Sequence, residues 1–343
     1  MNLDPDDLAH CRALLRGGSL SFHAASRLLP ARVRDPATAL YAFCRLADDA
    51  VDEGGDRSTL AVLDDRLARI YAGTPCDHPA DRLFSAVVAR YAIPRALPAA
   101  LLEGFSWDLS GRPCDTLADL RAYAARVAGS VGVMMALLMG TREPWMLARA
   151  SELGIAMQLS NIARDVGEDA RAGRLYLPRS WLDAERVDVV RLLREPRHSD
   201  GLARVVARVL RVADALYTSA DAGIARLPAD CRAGIRAARL LYAEIGAEVA
   251  RRDCDAVAGR AVVPRVRKAA VLARGLVGNM ATAAVPAPLP EVRFLIDAVA
   301  ATPAPPRSAT SLERTLALFE RLERRDRVLP RGGGATLLGQ VQG

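Results

Sequence analysis

The amino-acid sequence predicts an all-α protein. Apolar residues recur with a helical period along almost the whole chain, and no segment shows the alternation of a half-buried strand. Alanine, leucine and arginine are abundant, whereas aromatic residues make up only 5% of the sequence, a composition that favours helices. With 343 residues, 51% of them hydrophobic, the chain can bury a large core. We expect one all-α domain over residues 1–330 and a disordered, glycine-rich tail over residues 331–343.

Proline and glycine residues set the limits of the predicted helices, because both interrupt helical structure. The breaks are expected at Pro30, Pro36, Gly54-Gly55, Pro94, Gly111-Arg112-Pro113, Pro144, Pro178, Pro228, Pro264 and the group Pro286, Pro288 and Pro290. In chain order, the pattern predicts helices over residues 6–17, 36–52, 57–72, 78–91, 95–110, 116–139, 144–169, 199–226, 230–253, 263–281, 287–299 and 308–325.

The charge distribution argues against a nucleic-acid partner. The net charge is +7, but Lys268 is the only lysine and the arginines are spread along the chain, often beside acids. No nucleic-acid-binding motif is present, so the protein is not expected to bind DNA or RNA. A basic surface is nevertheless suited to anionic lipid headgroups.

The cysteines and the hydropathy pattern predict a cytoplasmic protein. None of the six cysteines forms a Cys-x-x-Cys pair or pairs with histidine at zinc spacing, which is typical of reduced thiols. The acidic segment at residues 1–7 lacks an apolar signal core. The longest apolar run, residues 127–140, is too short to span a bilayer and predicts a buried helix.

An aspartate-rich segment, which we call box one, ends the predicted helix 36–52. Asp48 and Asp52 are four residues apart and Arg45 precedes Asp48 by three, so all three share one helix face. Asp49 and Glu53 form the adjacent stripe, which is expected to face solvent or to support the first. Taken alone, box one is equally consistent with a solvated acidic helix end.

A second polar stripe, box two, ends the predicted helix 144–169. Gln158, Asn161, Asp165 and Asp169 follow at spacings of three, four and four inside an otherwise apolar helix. Unpaired buried polar groups cost about 1–3 kcal/mol each, so this stripe is expected to have partners. An interhelical hydrogen-bond ladder is the structural alternative to a ligand.

Paired carboxylates on two helices predict a cation between them. Hard oxygen ligands suit Mg²⁺, with Mn²⁺ as an alternative, and Mg²⁺ is usually held by one or two carboxylates plus substrate phosphates. Arg164 and Arg171 are placed to bind diphosphate oxygens in a bidentate manner. The sequence therefore predicts metal-assisted chemistry on a diphosphate, with candidate metal ligands Asp48, Asp52, Asn161, Asp165 and Asp169.

The two boxes, together with four further segments, resemble the squalene synthase and phytoene synthase family of head-to-head isoprenoid synthases. The resemblance covers about residues 10–280, and several ordered motifs together are specific. The sequence of residues 41–53 is most similar to the corresponding segment of bacterial phytoene synthases, particularly those of purple bacteria. The further segments are Ser19-Leu-Ser-Phe to Pro30, Val127-Ala-Gly-Ser-Val-Gly132, Gly173-Arg-Leu-Tyr-Leu-Pro178, and Tyr242-Ala-Glu-Ile with Arg260 beyond it.

This resemblance implies a fold, a reaction and a set of site residues. The fold would be an isoprenoid-synthase-type helical bundle with a central apolar cavity. The reaction would be that of a 15-cis-phytoene synthase, a prenyltransferase that condenses two geranylgeranyl diphosphates through prephytoene diphosphate to phytoene, the first committed step of carotenoid biosynthesis. Mg²⁺ is the implied cofactor, and NADPH is not expected. The implied catalytic residues are Asp48, Asp52, Asp165, Asp169, Arg45 and Tyr123, and the implied substrate-binding residues are Ser19, Ser21, Arg45, Gln158, Asn161, Arg164, Arg171, Tyr242 and Arg260.

Two departures from the family pattern affect this assignment. Leu20 stands where relatives often have lysine, which leaves phosphate contacts there to Ser19, Ser21 and arginines. Ala125 and Arg126 stand where relatives have a tyrosine before Val-Ala-Gly, and Tyr123 is the nearest hydroxyl. Glu103 and Asp108 are expected to be surface acids.

Three alternatives remain open from the sequence. The nearest is a squalene or dehydrosqualene synthase acting on farnesyl diphosphate, where squalene-type products would need NADPH. A chain-elongating prenyltransferase also uses Asp-Asp-x-x-Asp, which residues 48–52 fit. A catalytically silent prenyl-binding or assembly factor would be expected to lose carboxylates that this chain retains. The expected partners are geranylgeranyl diphosphate, the inner face of the membrane through peripheral association, and downstream carotenoid enzymes.

Overall fold

The computed structural model describes residues 3–277 and 287–304, which belong to one compact unit, residues 1–304. Every regular element within these two ranges is helical, which confirms the predicted fold class. The helices are α1 (Pro5–Gly18), α2 (Leu20–Ser26), α3 (Ala31–Asp52), α4 (Arg57–Ala72), α5 (Pro79–Tyr91), α6 (Ala96–Ser110), α7 (Leu117–Ala124), α8 (Ser130–Leu138), α9 (Pro144–Arg171), α10 (Arg179–Ala184), α11 (Val189–Arg194), α12 (Asp200–Arg226), α13 (Ala229–Arg251), α14 (Arg265–Val277) and α15 (Arg293–Ala300).

Helix α9 forms the centre of the bundle. It packs against α8 on one side and against α12 and α13 on another. Most residues in its first half are buried, which fits the apolar pattern that precedes box two. The helix therefore carries box two from the middle of the core out to its C-terminal end.

Glycines allow α8 to lie directly on α9. A Cβ atom at Gly132 would come within 2.2 Å of the Ala150 carbonyl oxygen, and one at Gly154 within 2.3 Å of the Ala128 carbonyl oxygen. Real Cβ atoms do not approach backbone so closely, so larger residues would force the helices apart. This contact gives the Val-Ala-Gly-Ser-Val-Gly segment its structural role.

The predicted helix 116–139 is not one regular α-helix. Residues Ala125–Gly129 form a π-helical turn between α7 and α8. Such turns are rare and occur mostly as single bulges inside α-helices, frequently at functional sites. Apolar periodicity does not report them, because one extra residue shifts the pattern only locally.

Helix α3 begins five residues earlier than predicted and contains Pro36. Proline has no N–H to donate to the Arg32 carbonyl oxygen four residues before it. The Tyr91 hydroxyl donates to that oxygen instead, at 2.9 Å. A tertiary hydrogen bond therefore compensates for the proline, and the expected break at Pro36 is wrong.

Other differences concern short helices and chain ends. Helices α2, α10 and α11 have six or seven residues, too few to show a clear period, and were not predicted. A 3₁₀ turn, Pro290–Val292, precedes α15, so the helix predicted over 287–299 begins later. The helix predicted over 308–325 and the tail 331–343 lie outside the described residues, and the domain limit at residue 330 stays a prediction.

A buried ion pair within α9 is hydrogen-bonded to α12. The Arg149 Nη2 atom donates to Glu152 Oε1 at 2.7 Å, and the Ser219 hydroxyl donates to Glu152 Oε2 at 2.7 Å. The Leu289 N–H also points at Glu152, at 3.4 Å. Glu152 thereby links the two helices to the segment that leads into α15.

Candidate active site

A cavity of about 330 Å³ runs through the middle of the bundle. Its lining extends along α9 from Met146 to Asn161, a distance of about 22 Å at 1.5 Å per residue. Helices α2, α3, α8, α12 and α13 supply the other walls. This confirms the predicted central apolar cavity and places it beside both boxes.

The two ends of the cavity differ in polarity. Near Asn161 it is lined by polar side chains, those of Gln158, Tyr41 and Tyr242 among them. Towards Met146 the lining is almost wholly apolar, with side chains such as Met135, Met139, Ile224 and Leu227. The polar end therefore suits a charged head group and the other end a hydrocarbon chain.

Box one lies at the C-terminal end of α3. The guanidinium of Arg45 pairs with Asp49, at 2.5 Å between Nη2 and Oδ1, whereas its Nη1 atom lies 3.8 Å from Asp48 Oδ2. The closer partner of Arg45 is therefore Asp49, although Arg45 remains within ion-pair range of Asp48. Asp48 and Asp52 each keep about half of their side-chain surface exposed, which leaves their oxygens accessible.

Box two is organised by two arginines. The Arg164 guanidinium donates to both Asp165 oxygens, at 2.6 and 2.5 Å. From a distant loop, the Arg260 Nε atom lies 3.1 Å from Asp165 Oδ1. Asp165 thus brings together two of the predicted substrate-binding arginines.

Arg174 connects the two boxes. Its backbone N–H donates to the Asp169 carbonyl oxygen at 2.8 Å, and its Nη1 atom donates to Asp52 Oδ1 at 2.8 Å. Gly173, at φ +74°, provides the left-handed turn after α9 that directs Arg174 back to α3. The boxes therefore face each other at one end of the bundle.

Electrostatics at this end favour a cation. Burial and the neighbouring Asp52 carboxylate raise the pKa of Asp48 to about 6. Burial and the nearby Asp165 carboxylate raise the pKa of Asp169 to about 7. Burial and the neighbouring carboxylate both disfavour the ionised forms of Asp48 and Asp169, so a cation bound beside them would stabilise those forms.

The donor set fits Mg²⁺ in the way that diphosphate enzymes hold it. Within the described ranges, no three His, Cys, Asp or Glu side chains gather into a ready-made metal site. Mg²⁺ does not require one, because it is usually bound by one or two carboxylates together with water and substrate phosphates. The oxygens of Asp48 and Asp52 in box one, and of Asp165 and Asp169 in box two, are suitable donors.

The loop that carries Arg260 is anchored to α9. The Gly167 N–H donates to the Ala256 carbonyl oxygen at 3.0 Å, and the Arg171 Nη2 atom donates to the Val257 carbonyl oxygen at 2.8 Å. A Cβ atom at Gly167 would lie only 2.9 Å from that Ala256 oxygen. In this structure Arg171, predicted to bind diphosphate, holds the loop that brings Arg260 to Asp165.

Tyr242 lies in the cavity wall close to Arg164. Its ring packs against Phe22 at 4.8 Å between centroids, and burial raises its pKa to about 12, so its hydroxyl stays protonated. The Ser19 hydroxyl caps α2 by accepting a hydrogen bond from the Phe22 N–H at 3.2 Å. It also forms a hydrogen bond with the Tyr242 side chain. Ser21 follows in α2, half-buried.

Asp108 is not the surface acid expected from the sequence. The hydroxyls of Tyr123 and Tyr176 donate to its two oxygens at 3.0 and 2.8 Å, and the two rings stack at 4.9 Å. Burial raises the pKa of Asp108 to about 6. Tyr123 therefore donates to a carboxylate beside the boxes and is not among the residues that line the cavity.

The structure gathers most predicted site residues around one cavity mouth. Arg45, Arg164 and Arg260 each meet a box carboxylate, while Gln158, Asn161 and Tyr242 line the cavity. Arg174, Asp108 and Tyr176 belong to the same region and were not among the predicted site residues. The signal for two of them was the segment Gly173–Pro178, whose loop conformation determines where Arg174 and Tyr176 point.

Comparison with known proteins agrees with this geometry. Residues 15–267 match the family model described as squalene/phytoene synthase. The chain is 53% identical over 305 residues to a phytoene synthase of Rhodobacter capsulatus, covering 86% of this chain and 90% of that protein. It is 48% identical over 345 residues to a phytoene synthase of Cereibacter sphaeroides, covering 95% and 96%.

A solved structure supports the fold independently. A dehydrosqualene synthase in complex with ligand superposes with a TM-score of 0.73 at 30% identity, covering 79% of this chain and 95% of that one. The family match and these relatives confirm the resemblance inferred from the boxes. The chain belongs to the squalene/phytoene synthase family.

Proposed function

We propose that this prenyltransferase is a 15-cis-phytoene synthase, which condenses two geranylgeranyl diphosphates through prephytoene diphosphate to phytoene in carotenoid biosynthesis. The observation that carries the proposal is the pair of carboxylate boxes joined by Arg174 at the polar end of a long apolar cavity. The relatives at 53% and 48% identity, both phytoene synthases, support the choice of product.

The arginines at the mouth stabilise the departing diphosphate. Arg45, Arg164 and Arg260 are each already directed at a box carboxylate, so their positions are fixed before substrate binds. Donors that are preorganised where charge develops are the largest source of rate enhancement in many enzymes. Mg²⁺ held by Asp48, Asp52, Asp165 and Asp169, with Asn161 as a further oxygen donor, would neutralise diphosphate charge.

The cavity walls protect the cationic chain after ionisation. An allylic cation reacts with any water within reach, so the reaction needs a dry enclosure. Val131 and Met135 of α8, with Met139 just beyond it, line the apolar part of the cavity. The protonated hydroxyl of Tyr242 and the amides of Gln158 and Asn161 remain at the diphosphate end, with Ser19 and Ser21 nearby.

Product analysis tests the proposal. The purified protein is incubated with geranylgeranyl or farnesyl diphosphate and Mg²⁺, with and without NADPH, and the hydrocarbons are extracted and identified. Phytoene from the C20 substrate without NADPH is the expected result. A C30 hydrocarbon from only the C15 substrate would move the function to squalene-type synthesis, and no product from either would favour a prenyl-binding protein.

We also propose a cytoplasmic protein that associates peripherally with the inner face of the membrane. No helix in the described part of the chain is both long and apolar enough to cross a bilayer. Both the substrate and the product carry long hydrocarbon chains that partition into lipid, which supports exchange at a membrane surface shared with downstream carotenoid enzymes.

A further inference from the structure

Helix α14 turns an apolar stripe towards solvent. Val266 is 83% exposed, the highest value among the exposed large hydrophobic residues of the described chain, and Val262, four residues earlier, is 64% exposed. Ala269 and Ala273, also exposed, follow Val266 at intervals of three and seven. Because successive helical residues are about 100° apart, Val266, Ala269 and Ala273 lie on one face.

A different side of α14 packs on the bundle. Leu272, about 120° from Val266 around the helix, packs against the cluster formed by Ala25 of α2 and Ala237 and Ala238 of α13. An ordinary surface helix has one apolar stripe, which faces the core, and a polar outer face. Helix α14 has a second apolar stripe with no partner among the described residues.

Basic side chains flank this outer stripe. Arg265 and Arg267, both exposed, lie about 100° to either side of Val266 around the helix. Arg267 has only a 3.7 Å contact with Glu244, an acid that also binds Arg251 at 2.7 Å. An exposed apolar stripe bordered by cations is the pattern of a helix that lies in the headgroup layer of an anionic membrane.

The position of α14 relates the stripe to the cavity. Ala25 and Ala238 belong to the cluster against which Leu272 packs and also line the cavity, so this cluster lies between α14 and the hydrocarbon site. Arg260, six residues before Val266, contacts Asp165 at the mouth. A bilayer against α14 would therefore lie close to both the mouth and the apolar wall.

We propose that Val262 and the outer face of α14, with Arg265 and Arg267, form a docking surface for an anionic lipid bilayer. This inference rests on the proposed function, because a hydrocarbon-producing site needs a membrane to receive its product. The valines enter the interface and the flanking cations bind lipid phosphates. Docking places α14, and behind it the cavity wall formed by α2 and α13, against the membrane.

Vesicle flotation with matched variants tests the surface. The full-length protein is floated with phosphatidylcholine vesicles with and without phosphatidylglycerol, at low and high salt. The parent is expected to float with the anionic vesicles at low salt. The double variant Val262→Asp/Val266→Asp should lose about tenfold or more in bound fraction, since each buried CH₂ contributes to binding, and Arg265→Gln about fivefold.

Equally exposed residues elsewhere provide the controls. Val62 in α4 and Val190 in α11 are 59% and 60% exposed, so Val62→Asp and Val190→Asp change similar surface away from α14. Arg57→Gln is the matched control for Arg265→Gln. The proposed docking surface is refuted if the control variants lose flotation equally, or if the α14 double variant floats like the parent.

Hydrocarbon synthesis in detergent is measured in parallel: a parent that is active but does not float refutes the docking surface and leaves the proposed reaction standing.

Discussion

Arg174 and Asp52 are joined by a 2.8 Å hydrogen bond although 122 residues separate them in sequence. The bond crosses the mouth of the cavity, from the loop after one box to the last aspartate of the other. It links the two carboxylate pairs across the mouth. A ligand that engages both boxes therefore meets this contact.

Replacing Arg174 should impair catalysis without unfolding the protein. Arg174→Gln removes a positive charge directed at both boxes, and losing one preorganised donor typically costs about 10²-fold or more in rate. Steady-state kinetics and circular dichroism provide the measurement. Arg95→Gln is the control, because it breaks an exposed 3.0 Å pair with Asp64 away from the boxes. Normal turnover by Arg174→Gln would contradict a role for the contact.

Neutralising one carboxylate in each box should abolish metal-dependent activity. Asp48→Asn and Asp165→Asn keep side-chain size but remove charge, so each is expected to lose about 10²-fold or more in kcat while helix content stays unchanged. EDTA should silence the parent, and added Mg²⁺ should restore it. Glu53→Gln, just beyond Asp52, is the matched control. An active double variant would refute the metal role of the boxes.

The carboxyl of Asp108 should make stability depend on pH in a predictable direction. Its pKa is about 6 in the folded protein and about 3.9 in an unfolded chain. The folded state therefore binds more protons between these values, and this group makes the parent less stable as the pH rises from about 4 to 6. The contribution is at most about 3 kcal/mol.

The difference between Asp108→Asn and the parent isolates this effect. As the pH rises from about 4 to 6, the free energy of unfolding of the variant should increase relative to that of the parent, as measured by urea denaturation. Asp119→Asn is the contrasting control: the Thr116 hydroxyl lowers the pKa of Asp119, so its difference from the parent should be flat above pH about 4. Parallel curves for Asp108→Asn and the parent would contradict the prediction.

Gly167 should be intolerant of a methyl group. Gly167→Ala would push against the Ala256 carbonyl oxygen and displace the loop that brings Arg260 to Asp165. A displacement of about 1 Å can cost 10²-fold in kcat/KM. Gly259→Ala, in the same loop with nothing within 4 Å, should be nearly silent. The kcat/KM values of the two variants test this prediction, and equal losses would exclude displacement of the loop as the cause.

Periodicity was sufficient to locate the two boxes, whereas the central cavity was predicted from the family resemblance. Residues four apart on a helix share a face whatever the rest of the fold does, so the pairing of Asp48 with Asp52 and of Asp165 with Asp169 followed from spacing. The polar stripe from Gln158 to Asp169 predicted partners for this side of α9, and in the structure its first two members, Gln158 and Asn161, line the cavity. Assigning the family needed several motifs in order, because one aspartate pair also fits other enzymes.

The sequence could not reveal contacts made by loops and by tertiary partners. Arg174 reaches Asp52 only because Gly173 turns the chain, and spacing within α3 could not show that Arg45 lies closer to Asp49 than to Asp48. Asp108 looked like a surface acid until Tyr123 and Tyr176 were found on it. Pro36 remains inside α3 through a hydroxyl supplied by Tyr91, another residue far away in sequence.

The guanidinium groups at the mouth are already matched with aspartates: Arg45 with Asp49, Arg164 and Arg260 with Asp165, and Arg174 with Asp52. A diphosphate arriving alone would compete with these aspartates, and a divalent cation arriving alone would compete with the arginines. When both bind, the diphosphate takes the arginines and the cation takes the aspartates, so no side chain is left without a partner of opposite charge. Binding of the two should therefore be cooperative, and because coupling free energies are reciprocal, the cation must tighten diphosphate binding by the same factor as diphosphate tightens cation binding.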